Sequence, residues 1–533
     1  MSTIVWKKRY KSRSVEGIYW TLEKSLEYLA EARKLGIRPG LERIEQLLER
    51  LGNPQNACPV IHIAGTNGKG SISSICAHIA ANSGLRTGLF TSPYLTNFNE
   101  RIRIIDGQEG IQNLYKDIRS SEISDEDFAK TLMLIAYEVE IMSVRGFDRP
   151  TEFEIITAVA FVYFAEMGCD LVVLETGMGG RLDSTNVVEK PIATIISALS
   201  HDHTGRLGNT MSKIAAEKAG IMRPDVPVFV YNPHDTELTE VDASIVEKTL
   251  VEHAKKINAP LSIVNRSDIE YLSSYLTGQT FTYKGAGPFH LQLSGDYQAQ
   301  NAALAIEACR LLVEDEKLIQ NGISLTKWAG RLECISQEPF ILIDGAHNKQ
   351  GVYGLRQHLE KFLKDRKLVI LVGVLQDKDY KAMLDIICSS ELYDIAEIIC
   401  TCPDFPRALK AKSLAAEFAK YYNRKKLRNK NKEKSNIDLR EKLYDKLLNK
   451  SQSETQGKLQ EKYEIKELTE LELKEVPLYN ENRIWFTSNR KMATEFAYEL
   501  ACKKRLALVM FGSLYLLGEV RPHLLDLLEG LDN

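Results

Sequence analysis

VIHIAGTNGKGSISSICAHIAANSGLRTGLFTSPYLTNFNERIR, Val60 to Arg103, is the stretch from which the architecture of the chain can be worked out. After Pro59, Val60 to Ala64 is an apolar run long enough for a buried strand and too short for a helix. It breaks at Gly65-Thr66-Asn67-Gly68-Lys69-Gly70-Ser71, and apolar residues then return at helical spacing as Ile72, Ile75, Cys76 and Ile79. Gly84 stands where a helix C-terminus takes a left-handed residue. Strand, glycine loop and helix in that order aim backbone N–H groups and a helix dipole at a phosphate. On that reading Asn67, Gly68, Lys69, Gly70 and Ser71 cradle phosphate, with Lys69 a point charge for the outer phosphates and Ser71 a hydroxyl. The loop departs from the GxxxxGK[ST] pattern: two residues separate Gly65 from Gly68, and Gly70 stands between Lys69 and Ser71. An ordinary tight strand–helix turn is the competing reading of the loop alone.

At 533 residues the chain is too long for one core, so two domains and an insertion are expected. Hydrophobic content of 44% and charge of 26% belong to an ordinary globular protein. A net charge of -3 gives no whole-molecule attraction to nucleic acid or membrane. The nine cysteines form no CxxC pair, and Cys400 and Cys402 fall on one face of a strand, which suits packing. With no secretory signal, reduced thiols and a cytoplasmic location are expected. The basic opening MSTIVWKKRYKSRS reads as a frayed tail in preference to a targeting peptide. Leu506 to Leu517 is too short an apolar run to span a bilayer.

Outward from the loop, Gly36 to Gln55 predicts a helix with Ile44, Leu47, Leu48 and Leu51 on its apolar face. Ile105 to Arg149 reads as polar helix and loop, and Pro150 to Phe164 starts a helix in which Phe153 reads as core. Asp170 to Gly180 is an apolar strand that delivers Glu175 at its carboxyl end, followed by a glycine-rich loop. A carboxylate there suits Mg²⁺ or a loop-pairing role. The strand Pro191 to Leu199 ends in Ser200-His201-Asp202-His203, with no third nitrogen or thiolate nearby to complete a transition-metal site. Asn301, in Ser294 to Ala308, could read an adenine edge or be satisfied by neighbouring backbone. Strands are expected at Phe340 to Ile343 and Leu368 to Val374, and their alternation with helices predicts a doubly wound α/β domain. Arg424 to Glu475, about half charged, reads as a solvated helix or disordered insertion, with a partner-binding arm as the alternative.

AGTNGKGS, TSPYL (Thr91 to Leu95) and FNERIR (Phe98 to Arg103) together resemble the folylpolyglutamate synthase/dihydrofolate synthase family, a branch of the Mur-type ATP-dependent amide ligases. The resemblance recurs through EKAGI (Glu217 to Ile221), Gly330-Arg331-Leu332-Glu333, Asp344-Gly-Ala-His-Asn348 and FGSLYLLGEVR (Phe511 to Arg521). It covers roughly Thr21 to Lys420 and Arg483 to Arg521. It implies an N-terminal P-loop-type, mostly parallel sheet ATPase domain, 1–328, and a smaller C-terminal Rossmann-like α/β domain, 329–533, carrying the insertion 424–475.

The implied reaction transfers the ATP γ-phosphate to a folate-side carboxylate, and the L-glutamate amine then displaces phosphate from the acyl phosphate. The resemblance makes Lys69, Lys218 and His203 catalytic, and Ser92, Glu175 and His203 magnesium ligands. It places Thr151, Glu152, Phe153 and Glu154 on the pterin side and Leu182, Asp183 and Ser184 along the substrate cleft, with His347 close by. Asn301, Arg331 and Asp344 fall at ATP-binding positions, and Lys218 at a lysine carbamylated by CO₂. Ser184 and Glu152 depart from the alanine and aromatic of bifunctional members, which leaves dihydropteroate open as a second substrate beside folate. The implied protein is monomeric, with no nucleic-acid or membrane partner. A Mur-type ligase of a peptidoglycan precursor would carry an extra N-terminal domain, whereas only Met1 to Pro59 precedes the loop. The other rival is a nucleotide-gated binding protein without turnover.

Overall fold

The computed structural model describes residues 20–36, 38–201, 208, 210–422, 464–469 and 483–529. The expected basic tail, His203 and most of the stretch 424–475 lie outside them. The chain divides into two compact units between Ala329 and Gly330.

In the first unit, β1 (Val60–Ala64), β2 (Arg86–Phe90), β3 (Ile102–Asp106), β4 (Leu171–Glu175), β5 (Ala193–Ile196), β6 (Val228–Tyr231) and β7 (Leu261–Val264) form one sheet. Its order is β3-β2-β4-β1-β5-β6-β7, parallel except at β2/β3. Every residue of β1 and β4 is buried, which is why both read as unbroken apolar runs instead of alternating ones. Alternate side chains feed two cores: Leu171 and Val173 join the helices Lys69–Asn82 and Asp296–Cys309, whereas Val172 and Leu174 join Glu42–Arg50, Asp125–Val144 and Glu152–Met167. Ile44, Leu47, Leu48 and Leu51 are fully buried, as their spacing predicts.

Two parts of this unit depart from the sequence reading. The stretch read as polar helix and loop contains the helix Asp125–Val144, whose Phe128, Leu132, Ile135, Val139 and Met142 are core. Acidic residues of its first turn and exposed face dilute the apolar signal, and Ser124 caps it by accepting from Asp127 N–H. A second sheet, β8 (Ile269–Tyr275), β9 (Gly278–Tyr283) and β10 (Ala286–Leu291), is antiparallel in the order β10-β9-β8. Its Phe281, Tyr283, Phe289 and Leu291 enter the first core.

In the second unit, β11 (Glu333–Gln337), β12 (Phe340–Asp344), β13 (Lys367–Val372), β14 (Asp394–Cys400), β15 (Glu464–Glu467), β16 (Arg483–Phe486) and β17 (Ala507–Phe511) make a sheet of order β11-β12-β17-β13-β14-β16-β15. Only β11/β12 is antiparallel. β15 corrects the reading of 424–475 as wholly solvated or disordered: part of it is an edge strand, and Leu468 behind it is buried. Its four residues, Glu-Ile-Lys-Glu, include three charged ones and carry no apolar run or alternation, so the strand is hidden inside a window dominated by charge. No helix among the described residues is long and apolar enough to cross a membrane.

Candidate active site

The phosphate-loop candidate leaves β1 and is fastened at once to the end of β5: the N–H groups of Thr66 and Asn67 both donate to Ala198 O, at 3.0 and 3.2 Å. Two of its glycines are demanded by close approach. A Cβ on Gly65 would fall 1.8 Å from Ser197 Oγ, and one on Gly68, at φ +93°, 2.5 Å from Asn301 Oδ1. Lys69 opens the helix Lys69–Asn82, where unbonded N–H groups and the positive dipole end lie. Ser71 Oγ accepts from Gln298 Nε2 at 3.2 Å.

β4 lies beside β1 in a register that pairs Ile63 with Glu175, so the Glu175 carboxylate emerges next to the loop. Lys69 Nζ is 3.8 Å from Glu175 Oε1, and Ser92 N–H donates to Glu175 Oε2 at 3.2 Å. The structure therefore brings together Lys69, Glu175 and Ser92; the third expected metal ligand, His203, lies outside the described residues. Among the described residues no group of three or more His, Cys, Asp or Glu side chains gathers as a metal centre. What is present is a buried carboxylate beside a serine and a phosphate-type loop, an oxygen donor set that suits a hard cation such as Mg²⁺.

Lys218 closes the helix Met211–Ala219 and is 3% exposed. Its Nζ donates to Gly65 O at 2.8 Å, which places it on the underside of the same loop. Its neighbour in sequence, Glu217, is paired with Arg181 at 2.7 Å.

The loop after β4 is built on Asp183. Its carboxylate accepts from Met178 N–H, Thr185 N–H and Thr185 Oγ1, the last at 2.7 Å, while burial pushes its pKa up. Thr185 donates to Asp183, so the 2.9 Å bond to His62 is donated by Nε2–H, and His62 Nδ1 is left buried with no hydrogen-bond partner among the described residues. Ser184 Oγ is 3.0 Å from Thr157 Oγ1, and Leu182 is half-buried at the start of the turn.

The four expected pterin-side residues divide. Phe153 is not plain core: its ring lies against the loop, 2.4 Å from where a Cβ on Gly177 would be. Thr151 and Glu154 form a capping box at the head of Glu152–Met167, and Glu154 also pairs with Arg43 at 3.0 Å, so their polar atoms serve the helix start. Glu152 faces the other way and pairs with Arg33 at 2.7 Å.

Asn301 is 2% exposed, its Nδ2 donating to Gln298 Oε1 at 2.9 Å and its oxygen turned to Gly68. This places the amide behind the phosphate loop, engaged, instead of offered as an open edge. Sequence reading missed Gln298; the signal was its place one helical turn before Asn301. It also missed Trp328, whose ring stands 3.0 Å from where a Cβ on Gly70 would be, under the guanidinium of Arg103.

In the second unit, Asp344 ends β12 and accepts from Leu332 N–H and Ala346 N–H, both at 2.8 Å. Burial pushes its pKa up to about 6, against the lowering pull of Arg331 and those two bonds. His347 Nδ1 donates to Gly345 O at 2.8 Å.

The chain matches the Mur ligase middle domain over residues 63–309 and the Mur ligase glutamate ligase domain over 330–456. A dihydrofolate synthase/folylpolyglutamate synthase of Bacillus subtilis is 37% identical over 396 residues, covering 72% of this chain and 85% of that protein. The folylpolyglutamate synthase of Lacticaseibacillus casei is 34% identical, covering 68% and 82%. Among solved structures, Mycobacterium tuberculosis folylpolyglutamate synthase complexed with ADP and AMPPCP superposes with a TM-score of 0.71 at 26% identity, covering 93% of this chain and 98% of that one. With a glycine–lysine loop, a strand-end carboxylate and a buried lysine gathered at the end of one sheet, and with relatives matched over most of their length, the chain belongs to the folylpolyglutamate synthase/dihydrofolate synthase family of Mur-type ligases.

Proposed function

We propose that this protein joins the carboxylate of a folate to the amino group of L-glutamate at the expense of ATP. The observation that carries the reading is the convergence of Lys69, Glu175 and Ser92 at the carboxyl ends of adjacent strands, with Lys218 fixed to the same loop. The Bacillus subtilis and Lacticaseibacillus casei relatives are named for this activity.

A folate carboxylate oxygen attacks the γ-phosphorus, the bond to the β-phosphate oxygen breaks, and ADP leaves. The glutamate amine then attacks the acyl phosphate carbon, gives up a proton, and inorganic phosphate departs with its electron pair. Lys69 and the N–H groups of the loop hold the phosphates in line and meet the charge that builds on the transferring group. Glu175 and Ser92 supply oxygen ligands for Mg²⁺, which when bound neutralises phosphate charge and polarises the transferring phosphoryl group. Phe153 against Gly177 gives the pterin side an aromatic wall.

Lys218 is the lysine we assign to carbamylation. Its amine forms a bond to CO₂ carbon and releases a proton, giving an anion where the helix meets the loop. In the second unit, Asp344, Arg331 and His347 are the candidates for nucleotide and substrate contact.

The test is ADP release measured with tetrahydrofolate or dihydropteroate as acceptor, each with and without L-glutamate. Release that needs both an acceptor and glutamate supports the reading, and the preferred acceptor decides whether dihydropteroate is also used. Release indifferent to glutamate would overturn it.

A further inference from the structure

A buried carboxamide lies directly behind the phosphate loop, and no step above employs it. Gln298 is 0% exposed, and its Nε2 donates to Ser71 Oγ at 3.2 Å. Its Oε1 accepts from Asn301 Nδ2 at 2.9 Å, and Asn301 Oδ1 faces Gly68. Ser71 and Asn301 are themselves 3% and 2% exposed, so water does not compete for these atoms.

The order of donors and acceptors gives this chain of bonds a direction. A carboxamide nitrogen only donates and a carboxamide oxygen only accepts. Because Gln298 presents its oxygen to Asn301, its nitrogen is the end that reaches Ser71. Ser71 Oγ is thereby held as an acceptor, and its single proton has to be donated in another direction. A carboxylate or a hydroxyl in place of the amide could take that proton; the amide nitrogen cannot.

We propose that Gln298 is a positioning residue for ATP use, holding the Ser71 hydroxyl so that its proton is donated to a phosphate oxygen of the nucleotide. This rests on the reading of Asn67 to Ser71 as the phosphate loop. The side chain touches no reactant; it acts only through Ser71.

The test is a double-mutant cycle in the full-length protein: Ser71→Ala, Gln298→Met and the two combined. The readout is kcat/KM for ATP, with KM for folate and glutamate and the melting temperature measured alongside. Losing a hydrogen bond to a charged phosphate lowers kcat/KM by roughly tenfold to a hundredfold. That drop is expected in each single variant, confined to ATP, with no further drop in the combination. Gln298→Glu carries the same cycle if the methionine variant does not fold, since a carboxylate accepts the Ser71 proton and turns the hydroxyl inward. If Ser71→Ala is impaired while the Gln298 variant equals wild type, or their losses multiply, the positioning role is overturned and the loop reading stands. If Ser71→Ala equals wild type in ATP use, the loop hydroxyl is idle and the positioning role falls, whereas the loop reading is decided separately by Lys69→Ala.

Discussion

Lys69 Nζ lies 3.8 Å from Oε1 of Glu175, two residues 106 positions apart in the chain and brought together because β1 and β4 are neighbours. The pair keeps a buried carboxylate beside the one lysine of the loop Gly65 to Ser71, and on the proposed function a site for phosphate and a site for a cation would share an edge there.

Lys69→Ala should therefore lower turnover by orders of magnitude while sparing the fold. Among the described residues the ammonium meets Thr66 O and Glu175, and it fills no core position. Loss of a preorganised charge on a transferring phosphoryl group is expected to lower kcat by roughly a hundredfold to a thousandfold. Steady-state kinetics and thermal unfolding decide the matter: near-normal turnover in a folded variant would remove Lys69 from the mechanism.

If Lys218 is carbamylated as proposed, Lys218→Ala should be nearly inactive and partly rescued by a small carboxylate such as acetate, which would stand in for the carbamate. Depleting bicarbonate should slow wild type and leave the variant unchanged. A Lys218→Ala protein with ordinary activity, or one indifferent to acetate beside a wild type indifferent to bicarbonate, would reduce Lys218 to a brace for Gly65 O.

Much of this arrangement was legible in the sequence. Val60 to Ala64 and Leu171 to Glu175 are buried on both faces, so each reads as a continuous apolar run ending in a glycine loop, and Lys69 and Glu175 follow from that pattern. What Lys218 bonds was not legible, because Gly65 lies 153 residues away and a local partner, Glu217, was at hand in the sequence. The engagement of Asn301 with Gln298 depends on which rotamers fit behind Gly68, which periodicity does not encode. The sheet of β8 to β10 escaped because short strands with one apolar side, set in polar surroundings, carry weak signals, and β15, Glu-Ile-Lys-Glu, has no apolar side at all.

His62 predicts an acid-sensitive first unit. Burial and the charge of Arg223 lower its pKa from 6.5 to about 3, so the folded protein holds it neutral while the unfolded chain takes up a proton below pH 6.5. The stability it contributes is complete above pH 6.5 and is lost as the pH falls toward 3. By pH 5 the loss amounts to about 2 kcal/mol. His62→Gln keeps a donor for Thr185 and removes the titration, so urea unfolding at pH 7 and pH 5 should show a smaller fall for the variant. An equal fall in both proteins would assign the acid sensitivity elsewhere.

The edge strand β15 makes two deletions distinguishable. Removing 424–463 leaves Glu464–Glu467 paired to β16 and should hold the melting temperature close to wild type. Removing 424–475 exposes the β16 edge and deletes buried Leu468, which should lower it by roughly 4 °C or more. Equal melting temperatures for the two deletions would show that β15 adds nothing to the second unit.

On the proposed mechanism, ATP activates the folate carboxylate as an acyl phosphate before glutamate attacks. The direct measurement uses a folate acceptor with ¹⁸O in the reacting carboxylate, turned over with ATP and L-glutamate, and analyses the products by mass. Attack on the γ-phosphorus carries one labelled oxygen into the released inorganic phosphate and leaves ADP unlabelled; that is the predicted result. Inorganic phosphate without label, or label recovered in AMP, would contradict the account.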